Sequence, residues 1–219
     1  MRWVMVSGIF GNLVALNSVF KSIHSLEPYQ LYCLGNVVGP DLPQECLHRL
    51  QDEANLILCG EFDMLVAGLI ENVEECPMEV LSEVEQTREM LDEDNLDTLA
   101  NCPVEYLDDQ IRYVHCLPTM PFSFFDPKTR DEVANKVFGV TKDRVIFSGH
   151  GLKQGVVGVN GNGEILNWQK LDLKKRVLNL EIDKRYFIQV GSVGKQERKA
   201  CFAVYDDEVE IVQFWEKIY

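Results

Sequence analysis

The first sixty residues repeat one pattern, and this repetition constrains the fold more than any other feature. Short apolar segments at residues 2–6, 30–34 and 55–59 each end close to a glycine. Helical spacing of apolar side chains follows the first segment at residues 12–24 and the second at residues 43–53. Parallel strands require long crossover connections, which are usually helices. The pattern therefore predicts parallel strands joined by helices.

The second half of the chain has a different pattern of apolar segments and turns. Short turns such as NGNGE and DDE separate strand-like stretches there, which is typical of antiparallel hairpins. These stretches cover residues 156–159, 165–169, 186–190, 200–205 and 209–214, and they follow strands at 110–115 and 144–147 and a helix at 128–139. We therefore expect an α/β chain built as an α+β four-layer sandwich, in which helices flank two packed mixed sheets and residues from about 155 to 219 form an antiparallel C-terminal sheet.

Length and charge distribution indicate how the chain is divided. With 219 residues, 46% of them hydrophobic, the chain can form one domain over residues 1–219. A strongly acidic stretch at residues 71–97, with Arg88 as almost its only basic residue, lies in a helical insert from about residue 64 to 101. Such a stretch predicts a solvated helical face, and a surface for a basic partner or a cation is the alternative.

Net charge and cysteine content exclude several classes of function. The formal net charge of −14 argues against a nucleic-acid partner, because phosphates would be repelled. No apolar run approaches the roughly 18 residues of a membrane helix, and the first residues lack a signal-peptide cleavage site, so we expect a cytoplasmic protein without membrane contact. Seven scattered cysteines without a CxxC pair indicate reduced thiols. A small ligand or a protein partner remains open, as does a homodimer formed through an edge strand.

Six short motifs stand where the predicted strands end. They are GIFGN at 8–12, GNVVG at 35–39, GEFD at 60–63, VHC at 114–116, GHGL at 149–152 and QVGSVG at 189–194. Ligands bind at the carboxyl ends of strands in open α/β sheets, so these motifs predict a common crevice. Their glycines are expected to turn the chain sharply, several of them with positive φ.

In this order the motifs resemble those of the calcineurin-like metallophosphoesterases, over essentially the whole chain. That family carries DxHGN, GDxVG, GNHD, VHG, GHTH and NPGSVG at the corresponding places, and the helical insert looks like that of its small bacterial and archaeal phosphodiesterase-like branch. The resemblance implies the calcineurin-like phosphoesterase fold. It also implies a site that, in the family, holds two metal ions roughly 3.5–4 Å apart and activates a bridging water.

The first metal position of the family has lost its ligands in this sequence. Gly8 and Phe10 stand for the Asp and His of DxH, and Leu152 stands for the second His of GHTH. Asn36 replaces the bridging Asp, and Phe62 replaces the catalytic His. The resemblance therefore implies a degenerate site without a dinuclear centre, and a pseudoenzyme of little or no activity that acts as a binding or regulatory protein.

The second metal position keeps residues that can coordinate, namely Asn36, Glu61, His115 and His150. Two imidazoles, a carboxylate and an amide oxygen could hold one Zn, Mn or Fe ion. The alternative function is thus a single-metal phosphoesterase, acting as a phosphodiesterase or phosphatase.

In such an enzyme Asp63, Ser7 or a metal-bound water would transfer protons. The competing interpretation has no metal: the four polar side chains then form a satisfied network, and Phe10, Phe62 and Leu152 fill the former cavity.

The last motif is a weak candidate for anion binding. Ser192 and Gly194 lie in a glycine-bounded turn that could direct backbone N–H groups toward an anion, with Lys195 close by. The position of the family's arginine after GSVG is Glu197, which weakens this expectation.

Overall fold

The computed structural model describes residues 1–26, 29–70, 73, 76–118, 130–166 and 176–219. Within these residues the strands are β1 (Arg2–Val6), β2 (Tyr29–Cys33), β3 (Leu56–Ile57), β4 (Glu105–Asp108), β5 (Ile111–Val114), β6 (Val145–Ser148), β7 (Gly155–Val159), β8 (Val177–Asn179), β9 (Arg185–Gln189), β10 (Lys199–Asp206) and β11 (Ile211–Ile218). The helices are α1 (Leu13–Ile23), α2 (Pro43–Glu53), α3 (Glu61–Ala67), α4 (Met78–Glu89), α5 (Glu93–Asn101) and α6 (Arg130–Phe138), with a short 3-10 helix at His24–Leu26.

The strands form two mixed sheets. The six-stranded sheet has the order β3-β2-β1-β10-β11-β8, and the five-stranded sheet has the order β4-β5-β6-β9-β7. In the first sheet β1, β2 and β3 are parallel, and the remaining pairings are antiparallel. In the second sheet β5, β6 and β9 are parallel, with antiparallel β4 and β7 at the edges. Two mixed sheets confirm the predicted architecture.

The prediction of a separate C-terminal antiparallel sheet is wrong. The strands after residue 155 are divided, because β7 and β9 join the second sheet whereas β8, β10 and β11 join the first. Strand β10 explains the division: six of its eight residues are buried in a continuous run, which suits a central strand covered on both faces. It pairs with β1 on one side and with β11 on the other.

Alternation along the strands divides the core into layers. On β1, Val4 and Val6 face the cluster that contains the buried side chains of α1, whereas Met5 belongs to the cluster between the sheets. On β6, Phe147 lies between the sheets, and Ile146 faces a third cluster that contains residues of α6. The layers are therefore helices, sheet, sheet and helix, which confirms the predicted four-layer sandwich.

The acidic insert is helical, and one of its contacts is structural. Helices α4 and α5 lie within it, and the Arg88 side chain of α4 donates a hydrogen bond of 2.6 Å to the Val66 carbonyl in α3.

Sequence reasoning missed the short strands β4 and β8. It also predicted a strand at residues 165–169, where Ile165 forms an isolated bridge to Val159 and residues 167–169 lie outside the described part of the chain. No helix in the described ranges is long and apolar enough to cross a membrane.

We predict that Phe147→Ala lowers the free energy of unfolding by about 3–5 kcal/mol, because it leaves a cavity between the sheets. Phe147 is fully buried there, stacked on Tyr113 with ring centroids 5.6 Å apart. Urea unfolding followed by circular dichroism measures the change. The control Val14→Ala, at a position that is 66% exposed on α1, should change stability little. Equal losses for both variants would contradict the placement of Phe147.

Candidate metal centre

Four side chains that could bind a metal converge at the carboxyl ends of the strands. Glu61 begins α3, His115 and Cys116 follow β5, and His150 follows β6. One ligand atom from each lies within 4.8 Å of all the others. The Glu61 carboxylate lies 3.4 Å from His150 Nδ1 and 3.5 Å from Cys116 Sγ, and it contacts His115 Nε2 directly. Cys116 Sγ lies 3.9 Å from His150 Nδ1, which closes the group.

The backbone around His115 determines which ring nitrogen faces the cluster. His115 Nδ1 contacts the Leu34 carbonyl oxygen, which can only accept a hydrogen bond, so Nδ1 carries the proton. In the neutral ring Nε2 therefore presents its lone pair toward Glu61. A backbone acceptor that fixes the tautomer in this way is typical of histidines that bind metals.

The buried Nε2 atom of His115 makes no hydrogen bond of ordinary geometry to the described residues, and its neighbour is Glu61 Oε2, with which it can form an ion pair. Buried polar atoms without such a bond are uncommon, and each needs an explanation. Imidazole and carboxylate are both ordinary ligands of a divalent transition ion, and a shared ion would satisfy both atoms. The donor set therefore fits a metal.

Charge within the cluster is strongly coupled. Burial alone would raise the pKa of Glu61, but the charges and hydrogen bonds of His115 and His150 hold it well below its usual range. Burial alone would lower the pKa of His115, but the Glu61 carboxylate outweighs it and raises the pKa. The carboxylate is thus ionised, as coordination requires, whereas a bound ion would have to displace the proton that the raised pKa favours on His115.

Asn36, expected as a ligand, lies beside the four-residue cluster and bonds to Glu61. Its Oδ1 atom accepts a hydrogen bond of 2.9 Å from the Phe62 N–H, and its Nδ2 donates to Glu61 Oε1 at 3.0 Å. The amide oxygen is therefore engaged with the start of α3, and the side chain orients Glu61. The approach is close: a Cβ at Gly60 would lie 2.2 Å from Asn36 Oδ1, so glycine is required there.

Cys116 is the member of the cluster that sequence reasoning missed. It was interpreted only as one of seven reduced thiols, and it is indeed buried. The available signal was its place in VHC, directly after a candidate ligand, where the family motif has glycine. A thiol at that position can reach the cluster because β5 ends at Val114 and the chain turns into the crevice.

The positions of the family's first metal offer no ligands. A Cβ at Gly8 would lie 2.8 Å from Ser192 Oγ, and Gly8 has φ +60°, so a larger residue would be strained there. The Phe10 ring packs edge-to-face on Phe62, with centroids 5.6 Å apart, and Lys195 Nζ lies 4.4 Å from its centroid. Leu152 is 55% exposed, so the expectation that it fills a cavity is wrong.

Ser7 and Asp63, considered for proton transfer, both hold loops together. Ser7 Oγ donates to the carbonyls of residues 34–35 at 3.1 and 3.0 Å. Asp63 accepts from the N–H groups of residues 37–38 at 2.8 and 3.1 Å and from Gly60 at 3.0 Å. Burial raises the pKa of Asp63 to about 6 against the effect of these hydrogen bonds. Both side chains are committed to the backbone, which disfavours a role in proton transfer.

The N–H groups that we expected to direct toward an anion at Ser192, Gly194 and Lys195 are engaged within the protein. The N–H groups of Ser192 and Gly194 donate to the carbonyls of Leu152 and Gly8 at 3.3 and 2.8 Å, and the Lys195 N–H donates to Ser192 Oγ at 3.1 Å. Ser192 Oγ itself donates to the Gly8 carbonyl at 2.7 Å. These N–H and hydroxyl groups therefore already donate hydrogen bonds within the protein, and none of them is left to bind an anion.

Comparisons with known proteins identify the fold. A metallophosphoesterase from Sphaerobacter thermophilus superposes with a TM-score of 0.78 at 23% identity, covering all of this chain and 89% of that one. The hypothetical protein PH1004 from Pyrococcus horikoshii gives a TM-score of 0.70 at 21% identity, covering 100% and 88%. The chain has the calcineurin-like metallophosphoesterase fold. This confirms the resemblance carried by the six motifs.

In sequence, the chain is 28% identical over 223 residues to the uncharacterized protein MJ0912 of Methanocaldococcus jannaschii. The match covers 95% of this chain and 85% of that protein. No family model matches.

We predict that Asp63→Asn lowers the free energy of unfolding by about 1–3 kcal/mol, because an amide nitrogen would face the Gly60 N–H and leave that buried donor unsatisfied. Chemical denaturation at neutral pH measures the loss. The matched control is Asp52→Asn on the exposed side of α2, which should be nearly neutral. An unchanged stability in Asp63→Asn would contradict the loop-holding role.

Proposed function

We propose that this chain is a metal-binding protein that holds one divalent transition ion through Glu61, His115, Cys116 and His150 and uses the metallophosphoesterase fold for binding or regulation. The observation that carries the proposal is the convergence of four ligand atoms, from Glu61, His115, Cys116 and His150, within 4.8 Å of one another. Once bound, the ion supplies positive charge that neutralises the buried carboxylate and thiolate.

The chemistry of the donor set favours zinc over hard cations. Thiolate and imidazole are soft to borderline ligands that select Zn, Fe or Co, whereas Mg and Ca prefer oxygen. Four protein ligands are typical of closed structural zinc sites, and catalytic zinc sites usually have three and leave the fourth place to water. A site with all four ligands engaged therefore supports binding or stabilisation rather than turnover.

The remainder of the crevice also argues against the two-metal reaction. Ser192 lies against Gly8 where an acidic side chain would be needed, and the rings of Phe10 and Phe62 present carbon at two positions where the family motifs have histidine. A second ion would find no charged ligand among these residues.

A single-metal phosphoesterase is the second candidate, and one observation favours it. The His150 side chain is 29% exposed and stands farther from Glu61 than His115 does, so it is the ligand nearest to solvent. If it gave up its place, a water could take the open position and be activated there.

The partner of the binding protein is proposed to be a small molecule or another protein. The net charge of −14 and the commitment of the 192–195 N–H groups both disfavour nucleic-acid phosphates as the ligand.

We expect protein purified without chelator to contain about one zinc-class ion per chain, and His115→Ala or Cys116→Ser to reduce this content strongly, because each removes a ligand. Elemental analysis by mass spectrometry measures the content. Cobalt substitution should give a sulfur-to-metal charge-transfer band that Cys116→Ser abolishes. His48→Ala and Cys102→Ser, whose side chains lie outside the four-residue cluster, serve as controls. A metal-free protein, or a cobalt spectrum unchanged in Cys116→Ser, would contradict the proposed site.

A hydrolysis assay separates the two candidate functions. With bis(p-nitrophenyl) phosphate and added Mn, Zn or Fe(II), the binding function predicts no turnover above the metal blank, since all four ligand places are filled by protein. Turnover that disappears in His115→Ala and persists in His48→Ala would instead establish the single-metal phosphoesterase.

A further inference from the structure

A cavity of about 240 Å³ opens where the loop before β7 meets β10 and β11. Lys153 comes from that loop, Arg176 directly precedes β8, Lys199 and Cys201 lie on β10, and Glu216 lies on β11. None of the lining residues belongs to the four-residue metal cluster. The volume is slightly below the range of pockets for drug-sized ligands, so it suits a smaller molecule, and the proposed metal function does not use it.

The lining of the cavity is positively charged, although the chain as a whole is strongly acidic. Three of its residues are cations, Lys153, Arg176 and Lys199, and one is an anion, Glu216. Glu216 Oε2 lies 2.6 Å from Arg176 Nη2 and 3.4 Å from Lys199 Nζ, so one carboxylate oxygen serves both cations. Lys153 forms no ion pair with any residue in the described ranges. Three cations against one anion leave an excess of two positive charges, in a chain whose formal net charge is −14.

The concave shape strengthens the effect of this charge excess. A cleft lined by charges of one sign focuses their field and raises the local concentration of ions of the opposite sign. The side chains of Arg176 and Lys199 are 45% and 39% exposed, so water screens them only in part and a ligand can still reach them. An anion placed among the three cations removes their mutual repulsion.

Hydrogen bonds hold the surface between these cations in place. Gln154 Nε2 donates to one carbonyl on β10 and one on β11, at 2.8 and 3.0 Å, which ties the loop before β7 to both strands. Gln196 Nε2 donates to Cys201 Sγ at 3.2 Å. Cys201 is buried, and burial raises the pKa of its thiol, which therefore stays protonated and neutral. The cations thus come from three separate segments of the chain and surround a fixed, neutral surface.

We propose that this cavity binds a short-chain dicarboxylate, with one carboxylate between Arg176 and Lys199 and the other on Lys153. Lysine and arginine form charge-assisted hydrogen bonds with carboxylates, and arginine can do so through two N–H groups at once. A dicarboxylate carries a negative charge at each end, which matches cations on different walls, whereas phosphate concentrates its charge at one point. The site is separate from the metal centre, so it does not depend on the function proposed above.

Three four-carbon probes of different charge test the proposal: succinate is dianionic, succinamide is neutral and putrescine is dicationic. Each is titrated into the full-length protein as purified and followed by calorimetry and by amide chemical shifts. We expect succinate to bind, with the largest shifts at residues 153–154 and 196–201, and to bind more tightly than the other two probes and inorganic phosphate. No binding of succinate, equal binding of succinamide, or tighter binding of phosphate would overturn the proposal.

Carboxylates also bind metal ions, so the metal centre needs its own control. The same succinate titration is repeated with Cys116→Ser, which removes a proposed metal ligand and leaves the lining of the cavity intact. The cavity predicts unchanged succinate affinity in this variant. Loss of succinate binding together with loss of metal would place succinate on the ion, which would refute the cavity site and leave the metal function standing.

Three variants of charged residues assign the contacts. Lys153→Gln should weaken succinate binding about tenfold, because a charge-assisted hydrogen bond becomes a neutral one. Lys217→Gln is the matched control: it lies beside Glu216 on β11 but outside the lining, so it should leave affinity unchanged. Glu216→Gln removes the carboxylate that competes for Arg176 and Lys199, so affinity should rise severalfold.

Thermal unfolding checks that each variant is folded. Because Lys153 is exposed, its variant provides the decisive result even if Glu216→Gln is unstable. Equal weakening in Lys153→Gln and Lys217→Gln would indicate a general charge effect and refute the site, as would a loss of affinity in a folded Glu216→Gln variant.

Discussion

The Leu34 carbonyl oxygen is the point at which the two sheets and the metal centre are joined. It accepts a hydrogen bond from Ser7 Oγ of the loop after β1 and one from His115 Nδ1 of the second sheet. A Cβ at Gly149, in the loop after β6, would lie 2.3 Å from the same oxygen. The Leu34 carbonyl, which follows β2, thus fixes the tautomer of the candidate ligand His115. It also lies where loops from both sheets come together. The orientation of the site follows from this contact.

Charge balance is consistent with the single-ion centre proposed above, at a site where the positions of the family's first metal offer no ligands. With a divalent ion bound as proposed, ionised Glu61 and a deprotonated Cys116 would supply the two negative charges that balance it, and the two imidazoles would be neutral. A second carboxylate at position 36 would leave a buried excess of negative charge, which is costly. The neutral amide of Asn36 avoids that excess and donates to Glu61. The exchange of acid and amide between positions 36 and 61 is therefore consistent with one ion.

The sequence was a good guide to local structure and to which strand ends meet, and a poor one to long-range pairing. The bounds of β1 and α2 were predicted to the residue, and Glu61, His115 and His150 do lie together. The pairing of β10 with β1 joins residues about 200 positions apart, and no local pattern encodes it. Cys116 was missed because its proximity to Glu61 depends on how the loop after β5 turns. Among the motif glycines, positive φ occurs at only some, and Gly194 is instead required because a Cβ would lie 1.8 Å from the Ile9 carbonyl.

The electrostatic surroundings differ between the two ends of β5. Tyr113 lies within β5 and belongs to the cluster between the sheets, whereas His115 is the first residue after the strand. At the His115 end, the buried Glu61 carboxylate favours positive charge beside it, and the N–H groups of residues 192–195 donate hydrogen bonds within the protein. At the other end of β5, the exposed carboxylates of residues 108–109 border a groove open to solvent. With a net charge of −14 and these N–H groups engaged, the chain favours a cation at the His115 end, as proposed above, and offers a phosphate little attraction there.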